Sequence, residues 1–203
     1  MTFDMSIVSC MTNSLDSKRS GGKRERLAAA AAEVFHRQGV EKTTIADIAR
    51  AAEVPVGNVY YYFKTKDQLI QAAIGAHAHS LEGFLAELDR EARPADRLRA
   101  LIRSWVDQRD VAARFGCPSG TLATELDKRT DGLERELAEV MGVLLDWVQR
   151  QFEQMGRADA RELAVALIAS YQGISLLTNT FRDPELMRAE GDRLERWIDS
   201  LAA

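Results

Sequence analysis

The stretch VPVGNVYYYFKTKDQL, residues 54–69, gathers side chains suited to recognition chemistry. A bare Gly57 is followed by the amide of Asn58 and the phenols of Tyr60, Tyr61 and Tyr62, with Lys64 and Lys66 just beyond. An amide can pair with a base edge, a phenol can donate to a phosphate oxygen, and a glycine permits close approach. At 100° per residue over 55–63, Val56, Val59 and Phe63 fall on one side, where Ile45, Ile48 and Phe35 can receive them. Gly57, Asn58 and Tyr61 fall on the other side, with Tyr60 and Tyr62 at the boundary. The expected result is an outward aromatic and amide face on a helix anchored from behind. Lys64 and Lys66 stand at the start of the following helix, where cations and free backbone N–H groups both suit a phosphate. On spacing alone, a small helical domain with an aromatic patch for a protein partner competes with a nucleic-acid surface.

The second chemically notable stretch is FGCPSGTLATEL, residues 115–126. Pro118 suits a first helical turn, which leaves Cys117 at or beside the N-cap, where a helix N-terminus favours a thiolate. The alternative is a small buried residue beside a pocket, since most buried cysteines are inert. A Cys–His nucleophile pair has no orienting motif here, so no enzyme activity is expected. His77 and His79 are two apart on a helix and diverge, and His36 lies in the N-terminal third, so no metal site and no cofactor are expected.

These groups need a scaffold, and the composition describes one. A hydrophobic share of 46% over 203 residues is enough for a proper core. Few prolines, abundant Ala and Leu and few β-branched runs favour an all-α protein. No apolar run of 18 or more residues is found, so no transmembrane span is expected. The N-terminal residues make a poor signal peptide. Cys10 and Cys117 are too few for a disulfide framework, which suits a reducing cytoplasm. The net charge of −4 is unevenly spread: residues 17–66 hold ten Lys/Arg against five Asp/Glu, a net of +5. A basic N-terminal third on an acidic body points to a polyanion partner at one end.

Residues 1–19 read as a disordered tail, with Met5 and Met11 as alternative starts. A helix over 22–38 carries the stripe Leu27, Ala30, Ala31, Val34 and Phe35 and stops at Gly39. Thr44 with Asp47 opens a second helix, in which Ile45, Ile48 and Ala49 face inward together. Glu53 and Val54 turn the chain, and Pro55 suits the first position of a third helix. Thr65 and Gln68 form a capping box for a fourth, near 66–90. Long amphipathic helices follow near 95–114, 118–128, 132–155, 158–181 and 184–202, about nine in all. A helix, a short turn and a second helix presented outward form a helix-turn-helix near 44–63.

The segment KRERLAAAAAEVFHRQGVEKTTIADIARAAEVPVGNVYYYFKTKDQLI closely resembles the DNA-binding domain of TetR-family (tetracycline-repressor-like) transcriptional regulators. The matching pieces AAAEVFHRQG, TTIADIA, VPVGNVYYYF and KTKDQL cover about 50 residues in the right order. The resemblance implies a three-helix helix-turn-helix domain at 20–80 and a helical ligand-binding and dimerisation body at 81–203. It implies a homodimeric repressor released from double-stranded operator DNA by a small-molecule inducer. It assigns Thr44 to the phosphate backbone, and Val56, Gly57, Asn58, Tyr60 and Tyr61 to the recognition helix. Tyr62 and Lys66 match positions that hold the phosphate backbone. The sequence departs from the family at Glu53, where glycine is frequent, and at Pro55, where serine is frequent.

In the body, Trp105, Phe115, Cys117, Met141, Trp147, Phe152 and Tyr171 are either core or the lining of an inducer pocket. The last two helices look like the family's dimer bundle, with Leu163, Leu167, Ile174, Leu194 and Ile198 as interface candidates. The region around Cys117 looks like that of a subgroup in which a cysteine senses electrophiles or oxidants.

Overall fold

Ten helices and no strand form among the described residues, 22–129 and 132–202 of the computed structural model. The tail at 1–19, with Cys10, Met5 and Met11, lies outside them, as do Thr130 and Asp131 of the expected TDG break. The helices are α1 Lys23–Gln38, α2 Ile45–Ala51, α3 Val56–Tyr62, α4 Lys66–Leu88 and α5 Pro94–Asp107. After these come α6 Arg109–Phe115, α7 Pro118–Leu126, α8 Leu133–Gln154, α9 Ala160–Phe181 and α10 Pro184–Leu201.

Local chemistry sets most of the boundaries. α1 stops at Gly39, whose φ of 84° is open to a residue without Cβ. Prolines supply the first residues of α5, α7 and α10, where the missing N–H is no loss. Asp183 caps α10 by accepting from the Glu185 N–H. The single helix expected over 95–114 is two, broken at Gln108. Neither Gly nor Pro marks that break. From α9, Asn179 donates to the Ala112 and Ala113 carbonyls and Arg182 to those of Ala113 and Arg114. A tertiary grip on α6, invisible to local propensity, fixes its direction.

The described chain separates into two compact units. The first holds the residues up to Gly83 together with Pro118–Val140; the second holds Phe84–Cys117 and Met141 onward. The segment 118–140 thus joins the first unit, which a cut by chain position near residue 80 does not anticipate. In the first unit, Leu27, Ala30, Ala31 and Phe35 of α1 meet Ile48, Val54, Val59, Phe63, Leu69 and Ile70 in one sealed core. Each large apolar side chain buried there contributes roughly 1.5–3 kcal/mol.

The second unit buries Leu98, Leu101, Ile102 and Trp105 of α5 with Trp147, Val148 and Phe152 of α8, Leu167 of α9, and Leu194 and Ile198 of α10. Gly191 lets α10 approach α5 closely, for a Cβ there would lie 2.3 Å from Val106 Cγ2. Ion pairs Arg99–Asp199 and Arg103–Glu195 flank this contact. By length and composition alone α9 is apolar enough to cross a membrane, a test that core helices of water-soluble proteins also pass. Its apolar residues divide between the core and an exposed face bearing Val165, Leu176, Leu177 and Phe181, of which Phe181 is 66% exposed.

Candidate nucleic-acid interface

Thr44 and Asp47 hold α2 by a reciprocal box. The Asp47 N–H donates to Thr44 Oγ1 at 3.2 Å, and the Thr44 N–H donates to Asp47 Oδ2 at 3.0 Å. The Thr44 hydroxyl also donates to Asp47 Oδ2 at 2.6 Å. These bonds from Thr44, with the nearby Arg50, hold the Asp47 carboxyl below its usual range. Asp47 therefore stays ionised at neutral pH, and Thr44 stands exposed at the front of α2.

The turn that follows uses Glu53 at a φ of 55° and closes with the Val54 N–H on the Ala49 carbonyl at 2.9 Å. A left-handed conformation costs a residue with Cβ about 1 kcal/mol, which gives a physical reason for glycine at this position in the family. Pro55 serves as N-cap of α3, with ψ at 136°, and not as its first helical residue as expected. Its carbonyl accepts from the Asn58 N–H at 2.8 Å.

α3 has two faces. Behind, Val59 is sealed, and Phe63 just past the helix end is buried beneath the Arg24 guanidinium, 5.3 Å from its ring centroid. In front, Tyr61 is 78% exposed and Tyr60 48%. Gly57 is exposed with open space where a Cβ would stand, and Asn58 is half-buried. Tyr62, half-buried, supports Tyr61 edge to face with ring centroids 5.0 Å apart. Val56 departs from the wheel, which turned it inward: it is 44% exposed. It is the first residue of a seven-residue helix, so only one turn reaches the core and the first position overhangs it.

The start of α4 completes the surface. Thr65 Oγ1 accepts from the Gln68 N–H at 3.2 Å, while Gln68 Oε1 accepts from Lys64 N–H, one residue earlier than a regular box. The Lys64 ammonium donates to the Tyr60 carbonyl, and that of Lys66 donates to the Glu41 carbonyl at 3.2 Å. A lysine parked on a neutral carbonyl keeps its full charge for a phosphate.

The second unit holds the remaining candidates. Trp105 and Tyr171 stack at 4.2 Å between centroids. They line a cavity of about 10 Å³ with Ile102, Val106, Ile174, Met187, Glu190 and Leu194, space for roughly one water. Cys117 is buried beside the same helix, α9, where Gln172 Nε2 donates to its Sγ at 3.7 Å. Burial first, then Cys117, pushes the Tyr171 phenol well above its ordinary value. Trp147 and Phe152 lie elsewhere, Trp147 donating to Asp89 Oδ1 at 3.0 Å and Phe152 beside Trp197 at 6.0 Å. Met141 and Phe115 are half-buried outside this cavity lining. Among the interface candidates, Leu167, Leu194 and Ile198 are sealed inside the unit itself, so they offer no surface to a second copy. Ile174 lines the cavity, and Leu163 is half-buried. Wheel spacing alone could not tell the inner stripe of α9 from its outer one. His77 meets Ser119 at 2.6 Å and His79 is exposed, and no cluster of potential metal ligands occurs among the described residues.

Two short helices joined by a tight turn, the second presenting an aromatic and amide face flanked by lysines, define a helix-turn-helix DNA-binding protein. Residues 27–73 match the family model for bacterial regulatory proteins of the tetR family, and residues 94–190 match the tetracycline-repressor-like C-terminal domain. The chain belongs to the TetR family and is a DNA-binding transcriptional regulator. It is 28% identical over 189 residues to the HTH-type transcriptional regulator TtgR of Pseudomonas putida, covering 87% of this chain and 88% of that protein. It is 27% identical to the HTH-type transcriptional repressor DhaR of a Mycobacterium species, with 80% and 85% coverage. The crystal structure of SCO4454, a TetR-family regulator from Streptomyces coelicolor, shares the fold at a TM-score of 0.76 and 22% identity, over 89% of this chain and 96% of that one.

Proposed function

We propose that the chain is a homodimeric repressor whose operator affinity falls when a small molecule enters the second unit. The observation that carries the DNA half is the outward face of α3, where Tyr61 is 78% exposed although the helix behind it is sealed. Aromatics are costly to leave in water unless a partner covers them. Asn58 and Tyr61 read base edges from this face, with Val56, Gly57 and Tyr60 beside them. Thr44, Tyr62 and Lys66 hold phosphates. No arginine sits on α3, so bidentate guanine reading is not its mode. The DNA-binding domain in this reading spans 20–80, and the body that binds ligand and dimerises spans 81–203.

Support for the homodimer comes from α9, whose outer face carries Val165, Leu176, Leu177 and Phe181 in the open. A second copy placed on that face covers it; the two α3 helices of such a dimer suit successive major grooves, about 34–36 Å apart. An inducer entering beside Trp105 parts it from its neighbours, because the cavity there is closed down to about 10 Å³. Ligand binding then selects a minor open state. Cys117 lines this region in our reading; its burial beside Gln172 and Tyr171 favours an inert thiol over a sensor. The protein acts in the cytoplasm, where its operator lies.

A gel shift with the DNA upstream of the gene, at two salt concentrations and with known protein stoichiometry, tests the reading. Two chains per site and weaker binding at the higher salt are expected. Binding of a single chain, or equal binding to unrelated duplex, contradicts it.

A further inference from the structure

Helix α7 belongs to the first unit and is held there at both ends. In its first turn Ser119 Oγ meets His77 Nε2 of α4 at 2.6 Å. Near its end, beside the fully buried Leu126, Glu125 reaches across to the turn between α1 and α2. There its Oε2 accepts from the Val40 N–H at 2.6 Å, across 85 residues of chain.

That bond has a specific purpose in the turn. Gly39, at a φ of 84°, swings the chain away from α1, so the Val40 N–H leaves the helix ladder. The rest of the turn satisfies itself: the Thr43 N–H donates to the Val40 carbonyl at 3.3 Å and the Thr43 hydroxyl to the Gly39 carbonyl at 2.6 Å. Val40 is buried, and a buried N–H needs an acceptor; Glu125 supplies it. General electrostatics does not bring the carboxylate there, because the C-terminal end of α1 repels negative charge. Room is made by Gly39, where a Cβ would press to 3.1 and 3.2 Å from the two carboxylate oxygens.

The turn so fixed leads directly to Thr44, and its Glu41 carbonyl seats the Lys66 ammonium. Two residues assigned to phosphates therefore hang on one segment, and one acceptor from α7 holds it. We propose that Glu125 is a positioning residue for operator binding, acting through the Val40 amide on the α1–α2 turn. It touches no DNA. The inference rests on the DNA-binding reading above and adds a residue that reading does not contain.

The test uses the full chain and a duplex that the wild-type protein selects from a random-sequence pool. Operator and scrambled-duplex affinities are measured at one salt concentration for wild type, Glu125→Ala and Glu125→Gln, with exchange of the Val40 amide followed by NMR. Glu125→Ala should speed exchange at Val40 and weaken operator binding about tenfold, within the usual range for coupled sites. Its scrambled-duplex affinity should fall less, because a chain without a fixed register can re-seat its cations on any phosphate, whereas the operator complex needs Thr44 and Lys66 in place. Glu125→Gln keeps an acceptor oxygen and should retain operator affinity within about threefold. If the alanine chain melts below assay temperature, Glu125→Met keeps the length without the acceptor and takes its place. Unchanged operator affinity with a freed Val40 amide overturns the proposal, as does a glutamine variant as weak as alanine. Equal loss on both duplexes also overturns it. A wild-type chain that selects no sequence defeats the DNA-binding reading itself, before any variant is made.

Discussion

Replacing Tyr61 by alanine should separate recognition from folding. In the free protein Tyr61 is 78% exposed, so about a fifth of its surface is covered. Full burial of a large apolar side chain is worth roughly 1.5–3 kcal/mol, so losing that covered fraction costs about 0.5 kcal/mol. The edge-to-face contact with Tyr62, at 5.0 Å, adds at most about another 1 kcal/mol. For a chain of this size the total of up to about 1.5 kcal/mol lowers the melting temperature by up to about 3–6 °C. On DNA the same side chain should be worth about 1–3 kcal/mol per site, and the proposed dimer would carry two. Every 1.4 kcal/mol is tenfold, so operator affinity should drop by about one to four decades. Asn58→Ala should behave alike. Val59→Ala, at the sealed back of the same helix, should do the opposite, costing about 2 kcal/mol of stability before any effect on binding. Fluorescence anisotropy at fixed salt, paired with a thermal melt, reads both quantities. Operator affinity within twofold of wild type for Tyr61→Ala, with a normal melt, would refute the assignment of α3 as the recognition helix.

Wild type should sediment at twice its chain mass of 22.6 kDa, and placing two charges on the outer face of α9, by Leu176→Glu with Leu177→Glu, should leave a folded monomer. Gly191→Ala should destabilise the second unit by about 1–3 kcal/mol in chemical denaturation, because its Cβ would meet Val106 Cγ2 at 2.3 Å. Burial, and secondarily the charge of His36, holds the His77 imidazole below its ordinary value of 6.5. As pH falls below 6.5 the unfolded chain takes up a proton that the folded one refuses, so stability declines in that window. His77→Gln should flatten that part of the melting-temperature profile relative to wild type.

Where punctuation is local, the sequence was enough to find it. The Thr44–Asp47 box, the stop at Gly39 and the prolines opening α7 and α10 each act within one helical turn, so spacing reveals them. The motif for DNA was legible for the same reason: Val59 and Phe63 behind, Tyr61 in front. What stayed hidden depends on distant partners. The break at Gln108 answers to Asn179 and Arg182, roughly 70 residues away in the chain. A wheel describes an endless helix, so it misplaced Val56 at the overhanging end of a short one. Helical spacing marks apolar stripes on α9 without saying which stripe the unit keeps for itself; Leu167 went inside and Leu176 stayed out. Glu125 gave no local sign at all, since an exposed acid near a helix end reads as a solvated charge. Gly39 gave no clue either, since its positive φ at the helix stop already accounts for a glycine there.

The central claim is that the α2–turn–α3 surface reads a DNA sequence. Selection from a pool of random duplexes by the purified full-length chain tests it most directly. Two inverted half-sites centred about one helical turn apart should be enriched, with affinity falling as salt rises. The enriched sequence should be lost when Asn58 and Tyr61 are both replaced by alanine. A pool that stays random under the wild-type chain, or one enriched equally by the double variant, contradicts the account.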